Sequence, residues 1–311
     1  MPTRAHPAGA DRNLSEWLVR THEASRRRAY TGTFVVSAGN AMASARMWHV
    51  CDGTQQMERV ETLTGTPRTT LRRNDEVVTF VPESRVAVWE RRESLGLFPA
   101  LLQSQTSQLG EFYSLRRVPQ SDRVAGFESD VVDLVPRDAL RFGYRIWSEK
   151  KTGLMVKLQT LDAEQRVLEQ VAFSELQLDA PVRMDQLLKQ MKAREGYTVQ
   201  HHKLVPTTPQ NQGWQLKAPV PGFAPVSCHV REAVAPGQPS PPMQWVFSDG
   251  LASVSVFAEL FDPKRHGNEG GMATGATHSL SRRHGDFWLT VVGEVPPKAL
   301  QQFAQQIERT R

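Results

Sequence analysis

Cysteine is nearly absent from this chain: of 311 residues only Cys51 and Cys228 carry a thiol, and neither a Cys-x-x-Cys motif nor the Cys/His spacing of a zinc site occurs. Neither a disulfide framework nor a zinc site is indicated, and a chain of this length can bury its own cores without them. The two thiols, set in different halves of the chain, read as buried and free, against the alternative of an interdomain disulfide. Long apolar runs are missing too. Stretches such as Val77 to Val81 fall far short of the ~20 residues that a membrane-spanning helix needs.

Catalytic signatures are equally scarce. There is no G-x-S-x-G elbow, no H-E-x-x-H, no Walker A loop and no G-x-G-x-x-G after a strand. Gly270, Gly271 and Gly275 have the wrong spacing for a phosphate loop, and the pair His201-His202 has no acidic or cysteine partner at ligand spacing. The sequence thus gives no support for an enzyme, a metal site or a cofactor. Helix-turn-helix, zinc-finger and RNP signatures are missing as well, so a basic pI of about 9.4 makes no case for nucleic acid.

What is present is the make-up of a globular protein, with 39% hydrophobic and 23% charged residues and a net charge of +5. Arginine supplies 29 of the 38 basic residues. Its clusters, Arg26-Arg27-Arg28, Arg72-Arg73, Arg91-Arg92, Arg116-Arg117 and Arg282-Arg283, are spread along the chain and read as solvated faces and loop tips. Met1 to Ala10 is polar, contains proline and lacks the apolar stretch of a signal peptide, so it reads as a disordered tail without an export signal.

Periodicity organises the rest. Leu14, Trp17, Leu18, Thr21 and Ala24 fall on one helical face, with Asn13 and Glu16 as the capping signal. Short strand-like runs then follow from Tyr30 to about Leu178, separated by turn chemistry such as Asp52-Gly53, Asn74-Asp75 and Thr152-Gly153, the pattern of an antiparallel meander. One run spans Val124 to Val135. The apolar stripe Leu97, Phe98, Leu101, Leu102, Leu109, Phe112 and Tyr113 interrupts the strands and predicts a helix lying on the sheet. A short helix with Met184, Leu187, Leu188 and Met191 stops at Gly196.

The polar, proline-rich segment 206–213 reads as a linker between a domain at 11–205 and a smaller one at 214–311. The second domain should hold a hairpin at Ser248-Asp249-Gly250, surface loops at Ala235 to Pro242 and Pro263 to Gly275, a strand Phe287 to Val292 and a final helix begun by Pro296-Pro297. Gly32, Gly250 and Gly293 read as turn or close-packing positions.

The order of Tyr30-x-Gly32-Thr33-Phe34-Val35, Tyr144-x-x-Trp147, Ser248-Asp249-Gly250-Leu251 and Thr290-Val291-Val292-Gly293-Glu294-Val295-Pro296-Pro297 resembles the RseB/MucB family from about Asn13 to the end of the chain. The resemblance implies an α+β, mainly antiparallel β fold: an N-terminal half-open β-barrel covered by helices, like the periplasmic lipoprotein carriers, and a smaller antiparallel β domain with helices. It also implies a periplasmic, non-enzymatic regulator of envelope-stress sigma-factor signalling. Such a protein binds the periplasmic segment of a membrane anti-sigma factor, shields it from proteolysis, and is released by lipopolysaccharide or other mislocalised lipid. A periplasmic address requires these residues to be the mature form. A simple lipid or lipoprotein carrier is the alternative, which the additional second domain argues against.

On this reading acyl chains would meet Phe34, Trp48, Phe80, Trp89, Phe98 and Leu101 of the first domain. Arg72, Arg73, Arg91 and Arg92 suit phosphorylated head groups, and Arg282 and Arg283 suit the partner. Lipid and partner would be linked by preferring different domain arrangements. A homodimer is left open.

Overall fold

The structure, a computed structural model, describes residues 8–91, 98, 109–231 and 242–310; Arg92, Leu101 and most of the 235–242 loop lie outside the described residues. The first apolar stripe folds as α1 (Ala8–Arg27), with Leu14 and Leu18 buried. It starts five residues before Asn13, because Ala8 and Ala10 are good helix formers and extend the helix into what composition alone suggested was tail.

Two meanders follow. The first comprises β1 (Tyr30–Ala38), β2 (Ala41–Cys51), β3 (Gln56–Thr62), β4 (Thr69–Arg73), β5 (Glu76–Val81) and β6 (Val86–Arg91). The second opens with α2 (Leu109–Phe112) and comprises β7 (Tyr113–Val124), β8 (Phe127–Pro136), β9 (Gly143–Glu149), β10 (Met155–Leu161) and β11 (Val167–Leu178). Antiparallel pairing of β1 with β11 fuses them, and after α3 (Met184–Lys192) the strand β12 (Thr198–His202) adds parallel to β6, completing a twelve-stranded sheet. His201-His202, next to the predicted linker, is therefore part of an edge strand.

At the fusion, the register shifts between Thr33 and Phe34. Gly32 is required there: a Cβ would lie 2.6 Å from the Glu175 carbonyl oxygen and 2.8 Å from the Phe173 ring. The sheet also curls. β7 and β11 are four strands apart, ~19 Å in a flat sheet, yet their Cα atoms approach within 8 Å.

Two predictions in this half are corrected. The run Val124 to Val135 is broken at Ala125-Gly126, both in the left-handed region at φ 50° and 87°, which turns β7 into β8. And Tyr113 to Val124, of which Tyr113 had been assigned to a helix and only Val124 to a strand, is an edge strand. Most of its residues face solvent, so it lacks the apolar alternation of a buried strand.

The chain leaves the first sheet at Lys203. β13 (Leu204–Pro206) already pairs with the second sheet, and Gln210–Gln212 forms a 3-10 turn within the segment 206–213. There follow β14 (Trp214–Leu216), β15 (Ala224–Arg231), β16 (Met243–Ser248), β17 (Ser253–Leu260), β18 (Gly270–Thr274), β19 (Thr277–His284), β20 (Phe287–Gly293), α4 (Pro297–Gln306) and β21 (Ile307–Arg309). Seven strands form one antiparallel sheet in the order β13-β15-β16-β17-β20-β19-β18, and β14 pairs with β21 alone.

The glycine-rich stretch expected to be loop supplies β18, a fully exposed edge held by its ladder with β19. Helix α4 sets Leu300, Phe303 and Ala304 into a core with Trp214, Phe223 and Phe247. Burying side chains the size of Leu300 and Phe303 contributes about 1.5–3 kcal/mol each. The molecule is thus mainly antiparallel β in two domains, and no described helix is long and apolar enough to cross a membrane.

Candidate functional site

The six residues proposed for acyl chains separate. Phe34 and Phe98 meet with ring centroids 5.9 Å apart, and both contact Phe173, at 6.4 and 4.9 Å. Both remain half-buried on a core that includes Tyr30, Met47, Trp147 and Val156. Phe80 and Trp89 instead join the cluster of Leu71, Val78, Leu187 and Met191 under α3. Trp89 is already covered, by the Arg194 guanidinium at 4.8 Å and the His201 ring at 6.2 Å. Trp48 stands apart with Arg59 at 4.5 Å over its ring, and Leu101 lies outside the described residues. Phe173, missed in the sequence, completes the aromatic group; the glycine two residues before Phe34 was its only local signal.

The arginines are mostly engaged locally. Arg72 pairs with Glu58 at 3.5 Å and donates from Nε to the Asn74 carbonyl, Arg73 donates to Gln55, and Arg91 faces Asp75 at 3.8 Å. Arg92 lies outside the described residues. Arg283 covers Phe261 at 4.3 Å and donates to the Gly285 carbonyl, whereas Arg282 approaches His284 and its buried Nε finds no partner among the described residues. A different cationic grouping borders the aromatic core. Trp17, Arg20, Arg117, Val118, Asp130, Val131 and Lys150 line a cleft of about 360 Å³, and Val118 and Val131 also belong to the cluster around Phe34 and Phe98.

The most elaborate polar arrangement lies between the domains. Asp249, in the turn from β16 to β17, accepts at Oδ1 from the Leu251 and Ala252 backbone N–H groups at 2.9 and 2.8 Å. Its Oδ2 accepts from the Tyr113 hydroxyl at 3.1 Å and from Arg141 Nε at 2.8 Å, both in the first domain. Arg141 also pairs with Asp138 and donates from Nη2 to the Pro221 carbonyl at 2.7 Å. The Arg141 and Asp249 side chains are both 0% exposed.

Phe112 and Phe223, one from each domain, lie 4.3 and 4.9 Å from the guanidinium. Each domain also lends a leucine to the other's core: Leu251 packs with Leu14, Leu18 and Tyr144, and Leu140 packs with Trp214 and Phe223. Burial pushes the Tyr113 and Tyr144 hydroxyls well above the ordinary phenol range, so both stay protonated. The sequence showed the Ser-Asp-Gly-Leu motif but not Arg141, which lies 108 residues from Asp249.

A second contact forms where the tip between β18 and β19 reaches the first domain. The Ala276 N–H donates to Glu169 at 3.4 Å, and Phe142 meets the His278 ring at 5.6 Å. Nearby, desolvation by surrounding atoms and the Glu169 charge raise the pKa of Glu294, which still keeps an exposed side. Within the first sheet, burial of Asp133 is outweighed by hydrogen bonds from Arg145 at 2.7 Å and Arg116 at 2.6 Å, which hold its carboxyl below the usual range. Both thiols are free: Cys51 is only half-buried, and burial raises Cys228 to about 11. Among the described residues no group of His, Cys, Asp and Glu is arranged to hold a metal.

Comparison with known proteins agrees with the two-domain organisation. The model of the MucB/RseB N-terminal domain matches residues 13–191, and that of the MucB/RseB C-terminal domain matches 208–308. The sigma factor AlgU regulatory protein MucB of Pseudomonas aeruginosa is 32% identical over 94% of this chain and 90% of its own length. The sigma-E factor regulatory protein RseB of Salmonella typhimurium is 24% identical over 97% of this chain and 92% of its own. Among solved structures, the complex of Pseudomonas aeruginosa MucA/MucB superposes with a TM-score of 0.73 at 27% identity, covering 96% of this chain and 99% of that one. With both of its domains matched in order and along nearly the whole length, the chain belongs to the MucB/RseB family.

Proposed function

We infer that this protein is a periplasmic negative regulator of envelope-stress sigma-factor signalling, which binds the periplasmic segment of a membrane anti-sigma factor across both domains and shields it from proteolysis. The observation that carries this reading is the two-domain match to a structure of MucB bound to MucA. The first domain acts as a half-open barrel of the lipoprotein-carrier kind, a reading supported by the curl that brings β7 to β11 and by the packing of α1 on β2, β7 and β10.

Lipopolysaccharide or another mislocalised lipid releases the segment. Its acyl chains enter at Phe34 and Phe98, and Arg20, Arg117 and Lys150 around the adjoining cleft place cations for its phosphates beside that aromatic pair. The carrier alternative draws on the same half-buried aromatic group, but simple carriage gives no role to the second domain or to the sealed contact that fixes it.

Limited proteolysis tests the shielding. The purified anti-sigma segment should be cut slowly with the chain present and rapidly once lipopolysaccharide is added. Equal cleavage rates with and without the chain would remove the regulatory reading.

A further inference from the structure

The turn Ser248-Asp249-Gly250-Leu251 does more than reverse the chain. Its geometry needs Gly250, at φ 100°, and the Ser248 hydroxyl that accepts from the Gly250 N–H at 2.9 Å. Asp249 closes the turn with one carboxylate oxygen and grips the other domain with the second. Gly222, at φ 78°, belongs to the same joint: a Cβ there would collide with the Arg141 guanidinium and with Phe112. A guanidinium held by directional hydrogen bonds and two rings tolerates little rotation, so this contact constrains the angle between the domains more narrowly than the apolar contacts beside it.

The joint is also built so that it can open. Buried charges that lose their only partner are strongly destabilised, but here each side keeps one at home. Arg141 retains Asp138, three residues away in its own loop, and Asp249 retains the two N–H groups of its own turn.

We propose that Asp249 is a positioning residue: through Arg141 and Tyr113 it fixes the interdomain angle at which the anti-sigma segment binds, without touching the segment. This rests on the reading that the segment spans both domains. The opened state, with Arg141 held by Asp138 alone, binds the segment weakly.

The test uses the full chain with Cys51→Ser and Cys228→Ala, and spin labels on cysteines introduced at the exposed positions Glu83 and Lys264, one in each domain. Double electron–electron resonance should give one narrow distance distribution for this parent. Asp249→Asn keeps the shape of the turn but removes the charge; it should broaden or displace that distribution and weaken segment binding at least tenfold. Tyr113→Phe, which deletes one hydroxyl, should fall between the two.

A distribution for Asp249→Asn that superposes on the parent's overturns the proposal, as does a broadened one with unchanged affinity. If circular dichroism shows that Asp249→Asn does not fold, Tyr113→Phe decides by the same criteria. A parent that fails to bind the segment at all contradicts the functional reading, and the distances then still report whether Asp249 holds the joint.

Discussion

The aromatic group at Phe34, Phe98 and Phe173 and the joint at Asp249 and Arg141 are built on opposite principles. The first is apolar, with Phe34 and Phe98 half-buried over a buried Phe173, and is held by ring contacts of 4.9–6.4 Å that other apolar groups can replace. The second is charged, closed to water and satisfied by hydrogen bonds of fixed direction. An adaptable surface suits ligands defined by their acyl chains, whereas a directional contact suits a single arrangement of two bodies. On the proposed function, the first place would capture the ligand and the second would set the geometry.

The largest effect should come from breaking the joint outright. Asp249→Ala leaves Arg141 paired with Asp138 but removes the acceptor of four buried hydrogen bonds, one of them from a guanidinium, and should lower stability by about 3–5 kcal/mol in urea unfolding. The aromatic group should respond the other way round. Phe34→Ala, at a half-buried ring, should cost less stability than Asp249→Ala but weaken binding of a fluorescent acyl probe by roughly tenfold, or about 1.4 kcal/mol. A Phe34→Ala protein that is badly destabilised yet binds the probe normally would erase the distinction.

Asp133 tests whether a charged cluster away from the joint behaves as ordinary structure. Asp133→Asn should cost about 1.5–3 kcal/mol at pH 7, since it loses charge-assisted bonds to Arg116 and Arg145. The carboxyl's pKa is depressed in the folded state, so its contribution is present above the unfolded value near ~3.9 and is lost as pH falls through the folded value. The stabilities of parent and variant should converge below that point.

How much of this was legible in the sequence follows from range. Helices α3 and α4 were readable because Leu187 and Met191, or Leu300 and Phe303, repeat at helical spacing, and the hairpins because Asp52-Gly53 and Asn74-Asp75 mark their turns. Edge strands β7 and β18 were not, since an exposed edge takes its structure from one neighbour's ladder and needs no apolar pattern of its own. Of the proposed lipid contacts, Phe34 and Phe98 come together, while Phe80 and Trp89 serve the core beneath α3. Aromatic content alone could not tell a half-exposed face from a filled one. Arg141 was invisible because its partners are assembled by tertiary contact between domains.

Smaller effects refine the comparison. Glu294 has a raised pKa, so its contribution is fully present below the unfolded value near ~4.3 and is lost as pH rises through the folded value. Glu294→Gln should therefore melt slightly higher than the parent at pH 7 and no differently at pH 4 in differential scanning calorimetry. Arg91→Ala should change stability least, by under about 0.5 kcal/mol, because its pair with Asp75 is exposed on both sides.

The central claim, that one chain reads both an anti-sigma segment and a lipid, is tested most directly by calorimetric titration of the full chain with the periplasmic anti-sigma segment, repeated in the presence of lipopolysaccharide. The account predicts micromolar or tighter binding that weakens when the lipid is added. No binding of the segment, together with stoichiometric uptake of an acylated lipoprotein, would contradict it and make the protein a carrier.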